Sequence, residues 1–346
     1  MSLRTMFRPE RRYLIASVLA SRFINLGKDP SQVRPKSILV IKLDEIGDMA
    51  TAAHVFSMLK RDHPDARLTV LCKPFVAPLI EADPNVDHIM TSADGWTERY
   101  DVVVDLRGSW QTLRITLRQR PILRLDRAGV RLANKLGGGQ VHETATNIAI
   151  IAPILRDASP LTPRLYVTAS ARHRVDAFLT HHGCERYALV APGARSVLRR
   201  WPADRFAEIV RDVSRRHGLR FIGVGGPEDR PAIDEIVRLS EGSAVAAPDD
   251  FTLRELVALC EGASLFVGNE SGPMHVAASF GIPVVGIFGP GVPRVFDPIG
   301  PRSTKVHHVL SCNPCDQVNC VRPHDPCILM ATVDEVRTAA TYVLGM

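Results

Sequence analysis

The 346-residue chain is long for one domain and sized for two, each able to bury a core. At 45% hydrophobic and 23% charged residues it has an ordinary globular composition, and no run of about 20 apolar residues suggests a membrane-spanning helix. The formal net charge of +6 suits an acidic partner, and the excess of arginine over lysine fits either phosphate recognition or a biased genome.

In chain order, residues 1–34 read as a basic leader. Arg4, Arg8, Arg11 and Arg12 precede a short apolar run at 13–20, a pattern with the look of a secretory signal. The run is short, Arg22 follows at once and no A-x-A cleavage site appears, so an amphipathic helix is expected. Leu14, Val18 and Leu19 would share one face with the arginines opposite. Such a helix either rests on an anionic inner leaflet or packs on the protein's own surface.

From residue 37 strands and helices alternate. Strands are expected at 37–42, 68–72, 86–90 and 101–105, with helices at 48–61 and 74–81 and a basic helix after 105. A linker at 157–163 leads to a second series: strands at 187–191, 219–224, 244–246 and 265–267, and helices at 203–217, 229–239 and 252–260. Alternation of this kind predicts two doubly wound parallel sheets. The domains are then 35–165 and 166–330, followed by a C-terminal helix within 331–346.

Four segments carry candidate chemistry. The stretch SLFVGNESGPMHVAASFGIPVVGIFGP (264–290) reads as strand, glycine-bounded turn, short helix and strand. Its turn brings Glu270, Ser271 and Gly272 to the mouth of the sheet, and Pro273 fits the first helical turn, where its missing N–H costs nothing. The first-turn amides suit phosphate, or Ser271 is a plain N-cap. IKLDEIGDMA ends a strand and sets Asp48 at a helix N-terminus, as a cap or as a general base; Asp44 and Glu45 read as loop polar residues. APGARSVLRRWPADRF leaves Gly193 and Ala194 as small residues beside Arg195 and Arg199, suited to a diphosphate. The tail spaces Cys312, Cys315, Cys320 and Cys327 as C-x2-C-x4-C-x6-C, a structural zinc or iron–sulfur set, or a set of plain or disulfide-linked thiols.

These pieces, in this order, resemble glycosyltransferase family 9, the ADP-heptose–lipopolysaccharide heptosyltransferases and their relatives, from about residue 35 to the C-terminus. The resemblance implies the glycosyltransferase B fold, two Rossmann-like domains facing a cleft, often with a last helix that crosses back to the first domain (333–344 is the candidate), and inverting, metal-independent transfer. It implies ADP-heptose as donor, an acidic glycolipid or glycan acceptor, and a cytoplasmic protein peripheral at the inner membrane. Asp48 would be the catalytic base. Arg199 would offset the leaving diphosphate where the family carries lysine. Gly193, Ala194, Arg195, Gly226, Glu228, Glu270, Ser271, Gly272 and His275 would hold the donor, with Glu270 in place of the family's aspartate. Gly291 stands where relatives carry threonine. Arg107, Arg114 and His142, with Asn147, would line the acceptor side. A nucleotide-sugar epimerase of similar build is the rival enzyme. A nucleic-acid-binding protein using the arginines of 106–131 is the rival outside catalysis, although that stretch lacks stacking aromatics apart from Trp110.

Overall fold

The computed structural model describes residues 9–94, 98–136, 139–313, 315 and 317–345. Arg4 and Arg8 of the leader lie outside these, as does the side chain of Arg11. The chain divides into two units, Met1–Pro163 and Arg164–Met346.

The first unit holds a parallel sheet of β1 (Ser37–Lys42), β2 (Arg67–Cys72), β3 (His88–Met90), β4 (Val102–Asp105) and β5 (Leu123–Asp126), in the order β3-β2-β1-β4-β5. Central β1 pairs Ile38 with Leu68 on one side and with Val102 on the other. Its unbroken apolar run, Ile38 to Ile41, is wholly buried, as expected of a parallel strand covered on both faces. The helices are α1 (Pro9–Ile24), α2 (Ile46–Ala50), α3 (His54–Asp62), α4 (Trp110–Gln119), α5 (Arg127–Leu136) and α6 (Glu143–Ile151).

Three local expectations change here. The single helix expected at 48–61 is two, α2 and α3, because the chain tightens between them: Ala52 N donates to Met49 O and Ala53 N to Ala50 O, a 3₁₀-type pattern. The segment 123–126 is the strand β5 rather than part of a basic helix, and its Arg124 is entirely buried. Leader helix α1 packs on this edge strand with a polar inner face. Arg124 donates to Ser17 O (2.9 Å), Ser17 Oγ (2.8 Å) and Ser21 Oγ (2.5 Å), and pairs with Asp126 at 3.0 Å and Asp105 at 3.5 Å. The Asn25 amide completes the edge, bonding both Arg124 O and Arg124 N. Leu14 is buried and Val18 half-buried, but Leu19 points outward, so the three do not share a face.

The second unit holds β6 (Tyr187–Ala191), β7 (Arg220–Gly223), β8 (Ala244–Ala246), β9 (Phe266–Asn269), β10 (Val284–Phe288) and β11 (Ser303–His307), all parallel in the order β11-β10-β9-β6-β7-β8. Its helices are α7 (Ala169–His181), α8 (Ala203–His217), α9 (Arg230–Leu239), α10 (Leu253–Gly262), α11 (Gly272–Ala278), α12 (Pro293–Phe296) and α13 (Val333–Gly345). The C-terminal helix α13 packs into the second unit's core. Val336, Ala340 and Val343, spaced one turn apart, are buried with Phe206, Val210 and Ile287. Arg337 fastens its polar side to α8 through Glu208 and Asp212.

Both sheets follow the doubly wound order, with the chain reversing direction across the sheet next to the first strand of each unit. In such sheets the crevice opens at the carboxyl ends of the strands flanking that reversal. Here those strands are β1 and β4 in the first unit, and β6 and β9 in the second.

Candidate active site

The loop after β1 carries Asp44 and Asp48, and the loop after β4 carries Arg107. Arg107 Nη1 bonds Asp44 Oδ1 at 2.5 Å, so an ion pair ties the two strand ends together. Beneath it Lys42, the last residue of β1, is buried with its ammonium 3.3 Å from both Asp44 and Glu143. Arg127 makes a two-pronged bond to Glu143. Burial alone would raise the Glu143 carboxyl, but Arg127 and Lys42 overcome it and hold it down to about 2.

Asp48 stands at the start of α2, half-buried beside this network. Its Oδ2 accepts from Glu45 N at 3.4 Å, a long and weak cap. Burial pushes its carboxyl above the usual range, Lys42 opposes the shift, and Asp44 and Glu143 add to it. A weakly bonded carboxylate of raised basicity is suited to accepting a proton. Sequence reasoning set Asp44 aside and did not find Lys42, Arg127 or Glu143. The one available signal was a lysine closing an otherwise apolar parallel strand, which needs a buried acid.

In the second unit the loop after β6 holds Gly193 to Arg199, and the loop after β9 holds Glu270 to Gly272. An ion pair again bridges the two strand ends, Arg199 Nη1 to Glu270 Oε1 at 3.4 Å. Asn269, at the end of β9 and fully buried, fixes the loops' spacing: it accepts from Trp201 N at 3.1 Å and donates to Pro192 O at 2.6 Å. Glu270 is 3% exposed, and among the described residues its Oε2 has no hydrogen-bond partner. Burial raises its carboxyl to about 7, against the pull of Arg199 and with a further push from Asp297. A Cβ on Gly291 would sit 1.6 Å from Glu270 Oε2, so glycine at 291 makes room for the longer acid. Glycine at 291 and the long acid at 270 are therefore matched in size.

Gly193 does not present the open side that the sequence suggested. A Cβ there would lie 2.1 Å from Asp229 Oδ2, so the glycine accommodates Asp229, which also accepts from Gly226 N at 3.0 Å. Arg200 holds the same loop by donating to Ala194 O at 2.9 Å, and lies 3.6 Å from Asp229. Arg199 is oriented by Gln317, whose Oε1 accepts from its Nε at 2.8 Å; Ser196 Oγ donates to Gln317 O at 2.9 Å. Sequence reasoning missed both Asp229 and Gln317. Ser271 occupies the N-cap position of α11 without capping it, its hydroxyl donating to Asn269 O at 3.1 Å. His275 is buried, with its ring edge-on to Phe296, and Glu228 and Arg195 are exposed.

Residues 142–324, slightly more than half of the chain and including all of these second-unit loops, match the profile of glycosyltransferase family 9 (heptosyltransferase). The chain belongs to glycosyltransferase family 9. It is a glycosyl-transferring enzyme. Lipopolysaccharide heptosyltransferase 3 of Escherichia coli is 24% identical over 283 residues, which cover 70% of this chain and 80% of that protein. The family 9 glycosyltransferase of Veillonella parvula superposes with a TM-score of 0.77 at 20% identity, covering 89% of this chain and 97% of that one. ADP-heptose lps heptosyltransferase II of E. coli does so with a TM-score of 0.69 at 22% identity, covering 89% and 98%. The two Rossmann-like units are those of the glycosyltransferase B fold.

Within this family 9 chain the basic stretch is not one continuous surface. Arg124 is internal, Arg127 is taken by Glu143 and Arg107 by Asp44, while Arg114, Arg118, Arg120 and Arg131 are exposed. His142 caps α6, its Nδ1 accepting from Thr144 N at 3.2 Å, and Asn147 is buried beside Thr51 O. All seven cysteines are free thiols, and among the described residues no three His, Cys, Asp or Glu side chains assemble to hold an ion. The tail serves the site in another way, by delivering Gln317 to Arg199.

Proposed function

We propose that this enzyme transfers heptose from ADP-heptose to a sugar hydroxyl of a lipopolysaccharide core or related glycan, with inversion at the anomeric carbon. The observation that carries the reading is the Arg199–Glu270 pair at the β6/β9 crevice, inside the stretch that matches family 9. The relatives' names supply the donor and acceptor classes.

In this mechanism the second unit holds the donor. Glu270 accepts from or donates to hydroxyls of the sugar, while Ser271, Gly272 and His275 border the same turn. Gly193, Ala194 and Arg195 form the opposite loop, and Gly226 and Glu228 lie toward the nucleoside. The acceptor, flanked by Arg107, Arg114 and His142, presents its hydroxyl to Asp48. Asp48 takes the hydroxyl proton as the oxygen bonds to the anomeric carbon, and the bond from that carbon to the diphosphate breaks. ADP departs with the electron pair, its growing charge offset by Arg199. A Glu270 that titrates near neutrality fits this role, since its protonated form leaves the Arg199 charge to the phosphate. No metal takes part in these steps.

Among the described residues no helix is long and apolar enough to cross a membrane. We place the enzyme at the cytoplasmic face of the inner membrane, where a lipid-linked acceptor is available. The test is incubation with ADP-heptose, with and without a core acceptor lacking the added heptose. Acceptor-dependent release of ADP and a heptosylated product are expected. Isomerised sugar appearing without acceptor would replace this reading with an epimerase.

A further inference from the structure

Leader helix α1 has a buried face and an exposed apolar face. Its inner face is already committed: Tyr13 and Leu14 pack with Leu113 and Ala128, and Ser17, Ser21 and Asn25, one turn apart, are bonded to Arg124 and the β5 edge. The opposite face and the turn that follows carry Ile15, Leu19, Phe23 and Leu26, which are 54%, 60%, 81% and 76% exposed. Their spacing of four, four and three residues aligns them in a strip about 16 Å long at the helical rise. Four contiguous large apolar side chains facing water indicate an occupant.

The charge around the strip identifies that occupant. Arg12 and Arg22 are exposed on the same side of the helix, and Lys28 closes its end, its ammonium held by the carbonyls of Ile24 and Ile122. No acidic residue occurs from Arg11 to Lys28, and residues 1–28 carry six cations against Glu10 alone, in a chain whose formal net charge is +6. At the start of the helix Trp110, 44% exposed, stacks edge-on to Tyr13 at 5.7 Å, an amphipathic ring of the kind found at lipid headgroup depth. One helix strip is well short of the roughly 800 Å² that each partner buries in a standard protein–protein interface. Apolar side chains between cations are, however, the pattern of a helix lying in the surface of an anionic bilayer. We propose that the Ile15–Leu19–Phe23–Leu26 face of α1 docks this protein on anionic membrane lipid, with Arg12, Arg22 and Lys28 at the headgroups. Because the inner face is anchored to Arg124, docking fixes the orientation of the whole first unit and does not merely tether it.

The inference rests on α1 alone and needs neither donor nor acceptor to test. The full chain is sedimented with vesicles of phosphatidylcholine, or of phosphatidylcholine with about 30 mol % phosphatidylglycerol, at about 0.1 M salt. Wild type is expected on the anionic vesicles and not on the neutral ones. Leu19→Ser with Phe23→Ser, both exposed positions, should keep the wild-type circular dichroism and melting temperature while weakening binding at least about ten-fold. Arg22→Gln with Lys28→Gln should weaken binding and flatten its salt dependence. Absence of wild-type binding, or undiminished binding by L19S/F23S, would overturn the proposal. A dimer abolished by L19S/F23S, without vesicle binding, would assign the strip to a second copy and overturn it equally.

Discussion

Glu270 and Gly291 form a pair in which each explains the other. Gly291→Ala would drive a methyl into the Glu270 carboxyl. We expect donor affinity to fall ten-fold or more, with a smaller loss of stability because the displaced atoms are a side-chain end. Shortening the acid as well, in Glu270→Asp/Gly291→Ala, should recover part of the loss. The coupling, about 0.5–3 kcal/mol, is measurable as a double-mutant cycle on donor binding by calorimetry. Glu270 also predicts a pH dependence. Its carboxyl is raised from 4.5 to about 7 by burial, so the folded state holds the proton more tightly than the unfolded chain. The associated stability is complete below the unfolded value and is lost as pH rises through about 7. Glu270→Gln cannot titrate, so its melting temperature should fall less than wild type's between about pH 4.5 and 7; parallel curves would contradict this. The exposed motif order revealed residue 270 from sequence, because a glycine-bounded turn after a buried strand has few alternatives. It could not reveal Asp229 or Gln317, whose partners lie 36 and 118 residues away at Gly193 and Arg199.

At the scale of elements, α1 and β5 depend on one side chain. Arg124 is fully buried, with Asp105, Asp126, Ser17 and Ser21 around it. Removing one member of such a set leaves buried acids without their cation, so Arg124→Ala should cost about 3–5 kcal/mol in urea unfolding. The variant should also be clipped rapidly by trypsin at Arg22 under native conditions; a clipping rate like wild type's would show that α1 is held by other contacts. This element was illegible in sequence for the same reason. LRLD has too few apolar residues for a strand signal, and a run of arginines reads as solvated surface until the acids that neutralise it are located. Polar edge strand β11, STKVH, was missed likewise. The apolar strands β1, β6 and β10 were plain, since burial on both faces writes a continuous Ile/Val/Leu run into the sequence.

Across the whole molecule, strand–helix alternation determines two sheets of doubly wound order, and that order determines where loops converge. The loops after β1, β4, β6 and β9, three of them carrying motifs read from the sequence, flank the reversal points, and in each unit an ion pair spans the two loops: Arg107–Asp44 and Arg199–Glu270. Under the proposed function the units would divide the work, proton acceptance in one, donor and charge offset in the other. The family 9 match begins at residue 142, so the role of Asp48 rests on its geometry and on the motif around it. Asp48→Asn is the most direct test, since it preserves size and hydrogen bonding while removing the base. Heptose transfer should fall by about 10²–10⁴-fold with ADP-heptose binding, measured on the same preparation, unchanged. Transfer within a few-fold of wild type at equal donor occupancy would contradict the account.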